Sequence, residues 1–352
     1  MARVDVIIPC YNYGHFLEGC VESALRQQGV GVRVLIIDDA SPDDTEVVGR
    51  QLAERETRVT YRRHAVNKGH LATYNEGLLE WADGDYALLL SADDMLTPGA
   101  LARAARLMDA NPEVGMTYGD VIRTTAPDFA AVEVLPECVV EVTPGVAFIE
   151  ASCRALSTGV ETVTAVVRTS VQRAVGGYRK ELPHAGDQEM WLRFASVSAI
   201  GRVKAPQGFY RRHAANMSNG FYGGLGRRDF DQIRAAFEYF FAEFGARVVD
   251  RVRLEALVHR ELAIQAFYLA NEAFNVRDER QCADLLGEAT ALWPGVRLHR
   301  GWWRLQLKRT IGGRLWAYFP VLRRAGRRAD HPPPTRLSLP HPPPPFNGPA
   351  RS

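Results

Sequence analysis

The 352-residue chain has no apolar run approaching the length of a membrane helix, and its five cysteines include no CxxC pair. A spanning helix needs about 20 apolar residues, so the first absence argues against an integral membrane protein. Cys10, Cys20, Cys138, Cys153 and Cys282 are odd in number and scattered. That spacing argues against a zinc cluster or a disulfide framework and fits a reducing compartment. The apolar run beginning at Val6 lasts six residues before polar ones return, too short for the core of a signal peptide. The expected location is the cytoplasm. No GxGxxG follows that run, which disfavours a classical dinucleotide-binding turn. The net charge is only +2, so the chain as a whole lacks the basic excess of a nucleic-acid binder. Acids are missing from 289 to 329, however, while Arg and Lys recur there.

What is present, with 46% apolar residues, suffices for one large domain or two ordinary ones. "VDVIIP", "VRVLIID", "RVTYRR" and "DYALLLS" read as strands, three of them apolar enough to be buried on both faces. Between them, "HFLEGCVESALRQQ", "DDTEVVGRQLAERE" and "HLATYNEGLLEWA" carry apolar residues at helical spacing. Ser41 reads as the cap of the second helix, with Pro42 at its first position. Strand and helix in alternation predict βαβ units and a mostly parallel sheet. From 159 to 213 the texture becomes α+β, with "VETVTAVVR", "IGRVKA" and "GFYRRH" as strands, and from 228 to about 292 it is helical. The proline-rich end after Asp330 cannot pack a core and reads as a disordered tail. The expected organisation is 1–220, 221–330 and 331–352.

In an open α/β sheet, ligands bind beyond the carboxyl ends of the strands. The residues there are Pro9 to Tyr13 after the first strand, Asp38-Asp39 after the second and Ser91-Ala92-Asp93-Asp94 after the fourth. Either acidic pair alone is explained by turn and capping chemistry. Two pairs on one sheet edge suggest a divalent cation and a polar ligand. Hard oxygen donors suit Mg²⁺ or Mn²⁺, and Mg²⁺ commonly holds phosphates with one or two protein carboxylates. A third acidic stretch, "HAGDQEMWLRFA", places Asp187 and Glu189 before an amphipathic helix. Asp187 reads locally as a helix cap.

Five segments, "VDVIIPCYNYGHFLEGCVESALRQQ", "VLIIDDASPDDT", "NKGHLATYNEGL", "DYALLLSADDMLTPGAL" and "VGGYRKELPHAGDQEMWLRFA", together resemble family 2 glycosyltransferases of the GT-A fold. The resemblance covers roughly residues 3 to 218 and implies a Rossmann-like, mostly parallel sheet flanked by helices, here with a helical C-terminal extension. It implies a nucleotide-diphospho-sugar donor, with Pro9, Tyr11 and Asp39 lining the nucleoside pocket and Asn67 and Gly69 in the loop after the third strand. It assigns Asp93 and Asp94 to the ribose and to the diphosphate-bound Mg²⁺ or Mn²⁺, and His213 to the diphosphate or metal. Asp187 aligns with the family's catalytic base, which takes the proton of an acceptor hydroxyl in an inverting displacement; Glu189 is the second choice. Three positions depart from the pattern: Ser91 and Gly186 replace acids, and Tyr74 stands where an Arg often precedes Asn75.

The activity implied is inverting transfer of a sugar to a hydroxyl acceptor, glycan or lipid-linked, in glycan, cell-surface polysaccharide or glycolipid synthesis. A catalytically idle sugar-nucleotide or glycan-binding module is the alternative that Ser91 and Gly186 favour. A nucleotidyltransferase expects a basic, glycine-rich triphosphate loop, which "PCYNYGHF" is not. The segment 297–328 mixes Arg and Lys with Trp302, Trp303, Trp316 and Phe319. It suits either peripheral contact with an anionic membrane, here the inner face of the cell membrane, or packing on the helical region. Nothing resembling a nucleic-acid reading motif accompanies it.

Overall fold

The computed structural model describes residues 1–129, 132, 138–216 and 226–311. The expected tail at 331–352 and most of the basic aromatic segment lie outside these residues. The chain divides into two compact units, 1–258 and 259–352. The break near 220 is thus a change of sequence texture, and the first unit extends beyond it.

The first unit opens with β1 (Arg3–Cys10), α1 (Gly14–Leu25), β2 (Gly31–Asp38), α2 (Thr45–Arg55), β3 (Val59–Arg63), α3 (His70–Asn75) and β4 (Tyr86–Leu89). These strands lie side by side as β3-β2-β1-β4, all parallel. Val6, Ile7 and Ile8, and likewise Leu35, Ile36 and Ile37, are fully buried although alternate residues face opposite ways. Both sheet faces are therefore covered, as apolar, β-branched runs require. Each such side chain contributes roughly 1.5–3 kcal/mol of burial. After α3 the chain makes a π-helical turn at Glu76–Trp81. Gly77 is needed there, since a Cβ would lie 2.3 Å from Ile7 Cγ2.

Beyond β4 the sheet is mixed. β5 (Met95–Leu96), α4 (Ala100–Ala110), β6 (Val114–Thr124), β7 (Val140–Thr143), α5 (Gly145–Ala155), β8 (Val166–Arg168), α6 (Thr169–Val175), α7 (Gly186–Val197) and β9 (Ala199–Arg211) follow. β8 runs antiparallel between β4 and β6, while β6 pairs with β9 in parallel. The two strands expected at "IGRVKA" and "GFYRRH" are one, β9, and the "VETVT" half of another is a 3-10 turn at Thr162–Thr164. α8 (Arg227–Phe244) packs through Ala236 against Leu182 and Ala185, in the segment that leads into α7. α9 (Arg251–Asn275) follows, and its Arg253 bonds Glu150 of α5.

The expected start of the second helix is corrected. α2 begins at Thr45, not after Ser41, because "SPDD" is a turn in which Asp43 accepts from Thr45 N and Gly14 N. α4 begins at Ala100 after Gly99, while Thr97 Oγ1 donates to Pro206 O. In the second unit, α10 (Glu279–Leu292) is capped by Asp278, which accepts from Gln281 N. α11 (Trp302–Ile311) buries Trp302, Leu305 and Lys308, with Lys308 Nζ donating to Asn271 Oδ1 at 3.1 Å.

Candidate active site

β1 and β2 end level, with Cys10 paired to Asp38. The turns that follow contain two non-glycine residues at positive φ, Asn12 (65°) and Ala40 (59°). Such backbone is costly and is kept where a loop must be aimed. The first acidic pair divides its work. Asp38 is fully buried and structural, accepting from Ser41 N, Tyr61 Oη and Arg63. Asp39 faces the ligand side, where its carboxylate accepts from His64 Nδ1 (2.7 Å), Lys68 N (2.7 Å) and Gly69 N (2.8 Å). Burial opposes ionisation of Asp39, but the His64 contact and the two amides outweigh it and hold its carboxyl below the usual range. His64 Nε2 meets Glu76 Oε2 at 2.9 Å, so one imidazole ties the β3 end to both acids.

The second pair, Asp93 and Asp94, is buried, 7% and 5% exposed, and not on the surface as strand-end residues commonly are. Antiparallel pairing of β5 with β9, Met95 opposite Phe209, brings the end of β9 over it. Arg211 N donates to Asp94 Oδ1 at 2.9 Å, and His213 Nε2 meets Asp93 Oδ2 at 3.0 Å. Asn216 Nδ2 adds a 3.3 Å contact to the same oxygen. Burial, then the neighbouring Asp93 charge, pushes the Asp94 carboxyl well above its ordinary value. A cation would relieve both effects.

Asp187 is the second residue of α7. Ala185 occupies the cap position, and no side chain caps the helix. The Asp187 carboxylate instead accepts from Thr162 Oγ1 at 2.7 Å. The cap reading of Asp187 is therefore corrected. Burial raises its carboxyl above 3.8, more than the Thr162 and Tyr178 hydroxyls and the nearby His70 and His184 lower it. Glu189, two residues on, is fully buried between Arg179 (3.0 Å) and Arg193 (2.7 Å), so its carboxylate is committed to the fold. Tyr178 is fixed by Asn75, whose side chain donates to Tyr178 O and accepts from Tyr178 N. Its ring leaves little room at Gly186, where a Cβ would lie 3.1 Å from Tyr178 Cδ1.

Two adjoining cavities gather these groups. The larger, about 630 Å³, is lined by Pro9, Tyr11, Asp39, Asn67, Gly69 and His213. The smaller, about 320 Å³, is lined by Asp93, Asp94 and Asp187. Tyr13, His70, Tyr74 and Ser91 line both. Neither is lined by Lys or Arg among the described residues. His70 Nε2 donates to Pro183 O at 3.1 Å, and burial holds its pKa down, so the ring at the seam is neutral at pH 7. Of the residues singled out from the sequence, Pro9, Tyr11, Asp39, Asn67, Gly69, Asp93, Asp94, Asp187 and His213 line one of the two cavities, while Asp38 and Glu189 line neither. The sequence reading missed His64, His70, Thr162 and Tyr178. His64 directly follows β3, the one strand end among the first four that was not read.

Residues 5–130 match the family model described as glycosyl transferase family 2. Over that segment the chain is similar to that family. Among curated relatives, an uncharacterized protein of Mycobacterium tuberculosis is 32% identical over 117 residues, 33% of this chain and 35% of the relative. An uncharacterized glycosyltransferase of Haemophilus influenzae is 31% identical over 120 residues, 34% of this chain and 47% of the relative. The chain thus spans between about a third and a half of such relatives. Among solved structures, S. aureus TarS residues 1–349 in complex with UDP-GlcNAc superposes with a TM-score of 0.61 at 17% identity. That likeness covers 82% of this chain and 81% of TarS 1–349. It shows that the GT-A fold, with its mixed sheet and helical C-terminal extension, recurs beyond the segment matched in sequence.

Proposed function

We propose that the protein is an inverting glycosyltransferase that moves a sugar from a nucleotide-diphospho-sugar to an acceptor hydroxyl, in glycan, cell-surface polysaccharide or glycolipid synthesis. The observation that carries this reading is the single cavity containing Asp187 together with Asp93 and Asp94. The larger cavity receives the nucleoside, with Pro9 and Tyr11 as walls and Asp39 toward the base. Asp39 reaches its ligand already ionised and held by three donors, so it need not reorganise.

A diphosphate placed where no Lys or Arg among the described residues lines the wall needs another counter-charge. Asp93 and Asp94, with His213 and Asn216 beside them, fit Mg²⁺ or Mn²⁺: they are hard oxygen donors crowded in a buried space. Among the described residues no group of three or more His, Cys, Asp and Glu is arranged around one point. A cation held there would rely on phosphate and water oxygens for most of its shell. When bound, it supplies positive charge to the departing diphosphate.

Asp187 takes the acceptor proton. Its raised pKa makes it a stronger base than an ordinary carboxylate, and Thr162 holds its Oδ2 in the cavity. Asp187→Asn should slow transfer by about 10²-fold or more with donor binding retained. Near-normal turnover by that variant defeats the assignment. The second reading, an idle sugar-nucleotide or glycan-binding module, rests on Gly186 and Ser91; it predicts no donor hydrolysis or transfer by the wild type.

No helix of the described residues is long and apolar enough to cross a membrane. A peripheral attachment to the inner face of the cell membrane is supported by α11, where Trp303 and Leu307 are exposed one turn apart. Residues 312–328, which carry the rest of that segment, are outside the described part.

A further inference from the structure

We propose that the acceptor is a sugar without an anionic group, uncharged or bearing an amine. The inference rests on reading the smaller cavity as the acceptor's and Asp187 as its base. The cavity is lined by four carboxyl groups, Asp93, Asp94, Glu161 and Asp187. The described lining includes no Lys or Arg, and residues 217–225, which continue from Asn216, contain none in sequence. The nearby basic groups have partners: Arg123 with Glu161, Arg211 with the main chain of Asp93, and His184 with Asp229 at 2.8 Å. A cation at Asp93 and Asp94 would answer the donor diphosphate, which brings its own negative charge. Asp187, and Glu161 beside its Arg123 partner, are the other carboxylates of the lining.

A carboxylate or phosphate on the acceptor about 6 Å from ionised Asp187, at an effective dielectric of about 20, would bind about a hundredfold more weakly than its neutral counterpart. It would also make Asp187 harder to ionise, and so oppose proton removal. Uncharged hydroxyls, by contrast, donate to carboxylates, and an ammonium group is attracted by them. The remaining wall suits a sugar ring. Tyr13, Tyr74, Tyr178 and Tyr210 line the same space. Tyr74 and Tyr178 meet edge-on at 5.4 Å, giving an aromatic corner for the C–H faces of a pyranose with hydroxyls at its rim.

The test uses the full-length protein with Mg²⁺ and a nucleoside diphosphate, and ligand-observed NMR of methyl glycosides. Gluco, galacto and manno series are each presented as the neutral sugar, the 2-amino sugar, the uronate and the 6-phosphate. The expected result is a Kd at least about tenfold lower for the neutral and amino members than for the anionic members of at least one series. Glu161→Gln should narrow that gap, because it removes a carboxylate and leaves the Arg123 charge. Failure of neutral sugars to bind better than their acid counterparts in any series overturns the proposal, as does a gap that Glu161→Gln leaves unchanged. The outcome is separable from the assignment of Asp187. Full transfer by Asp187→Asn would defeat the base while leaving the charge preference measurable. An inactive Asp187→Asn with no charge preference would defeat only the acceptor class.

Discussion

The Thr162 hydroxyl donates to Asp187 Oδ2 at 2.7 Å, across a turn and a helix that lie 25 residues apart in sequence. It holds the carboxylate in the cavity and away from the helix end that the local pattern offers it. Because burial dominates, the folded-state pKa of Asp187 lies above the unfolded one. A raised carboxyl contributes stability below its unfolded pKa of about 3.8 and loses it as pH rises through the folded value. Asp187→Asn should therefore melt at a higher temperature than wild type near pH 8, with the difference vanishing near pH 3. Thermal melts at the two pH values check this, and a lower Tm for the variant at the alkaline one contradicts it.

Thr162→Val removes a hydrogen bond that favours the ionised form. The Asp187 pKa should rise further, so the acid limb of the kcat/KM profile moves to higher pH. A limb that stays in place, with only its height changed, would mean that Thr162 acts on packing alone.

Glu189 is the contrasting case. It is fully buried and paired with Arg193, itself 2% exposed. Glu189→Gln leaves that guanidinium without its counter-charge, a loss of about 3–5 kcal/mol for a broken buried pair. Chemical denaturation should show the loss, and the folded fraction should transfer sugar at the wild-type rate. A stable but inactive Glu189→Gln would exchange the roles of the two acids.

The parallel half of the sheet and its ligand edge were legible because β1, β2 and β4 are apolar enough to be read without tertiary context, and chain order then places their ends together. Asp39, Asp93, Asp94 and Asp187 were found on that basis and on the family resemblance. The rest depends on contacts between distant segments. Nothing local marks Thr162 as a partner of Asp187, or shows that pairing of β5 with β9 buries Asp93 and Asp94 beneath His213. Ser41 misled for a related reason. Its hydroxyl accepts from Asn12 N across the two strand-end turns, and the helix starts only at Thr45, beyond its reach as a cap.

Trp303 and Leu307 are 69% and 49% exposed on one face of α11, with basic residues at 304 and 309. Each basic residue near an anionic bilayer contributes about 1 kcal/mol. Full-length protein should float with anionic liposomes, less so in high salt, and Trp303→Ser/Leu307→Ser should float less. Equal flotation of the two proteins would remove α11 from the contact.

Asp94 gives the sharpest test of the metal. Its carboxyl is buried beside Asp93 and raised well above its ordinary value, first by burial and then by the Asp93 charge. The same sign rule applies as for Asp187: its contribution to stability is lost as pH rises through the folded pKa. Asp94→Asn should therefore raise the Tm of the metal-free protein at pH 7. The same change removes a hard oxygen donor, so stabilisation by Mg²⁺ with a nucleoside diphosphate should shrink. For wild type at about a hundred times Kd that stabilisation amounts to about 2.7 kcal/mol. Melts with and without EDTA separate the two effects, since only the first persists in chelator. If a nucleoside diphosphate stabilises wild type as much in excess EDTA as in Mg²⁺, Asp93 and Asp94 hold no ion against the donor.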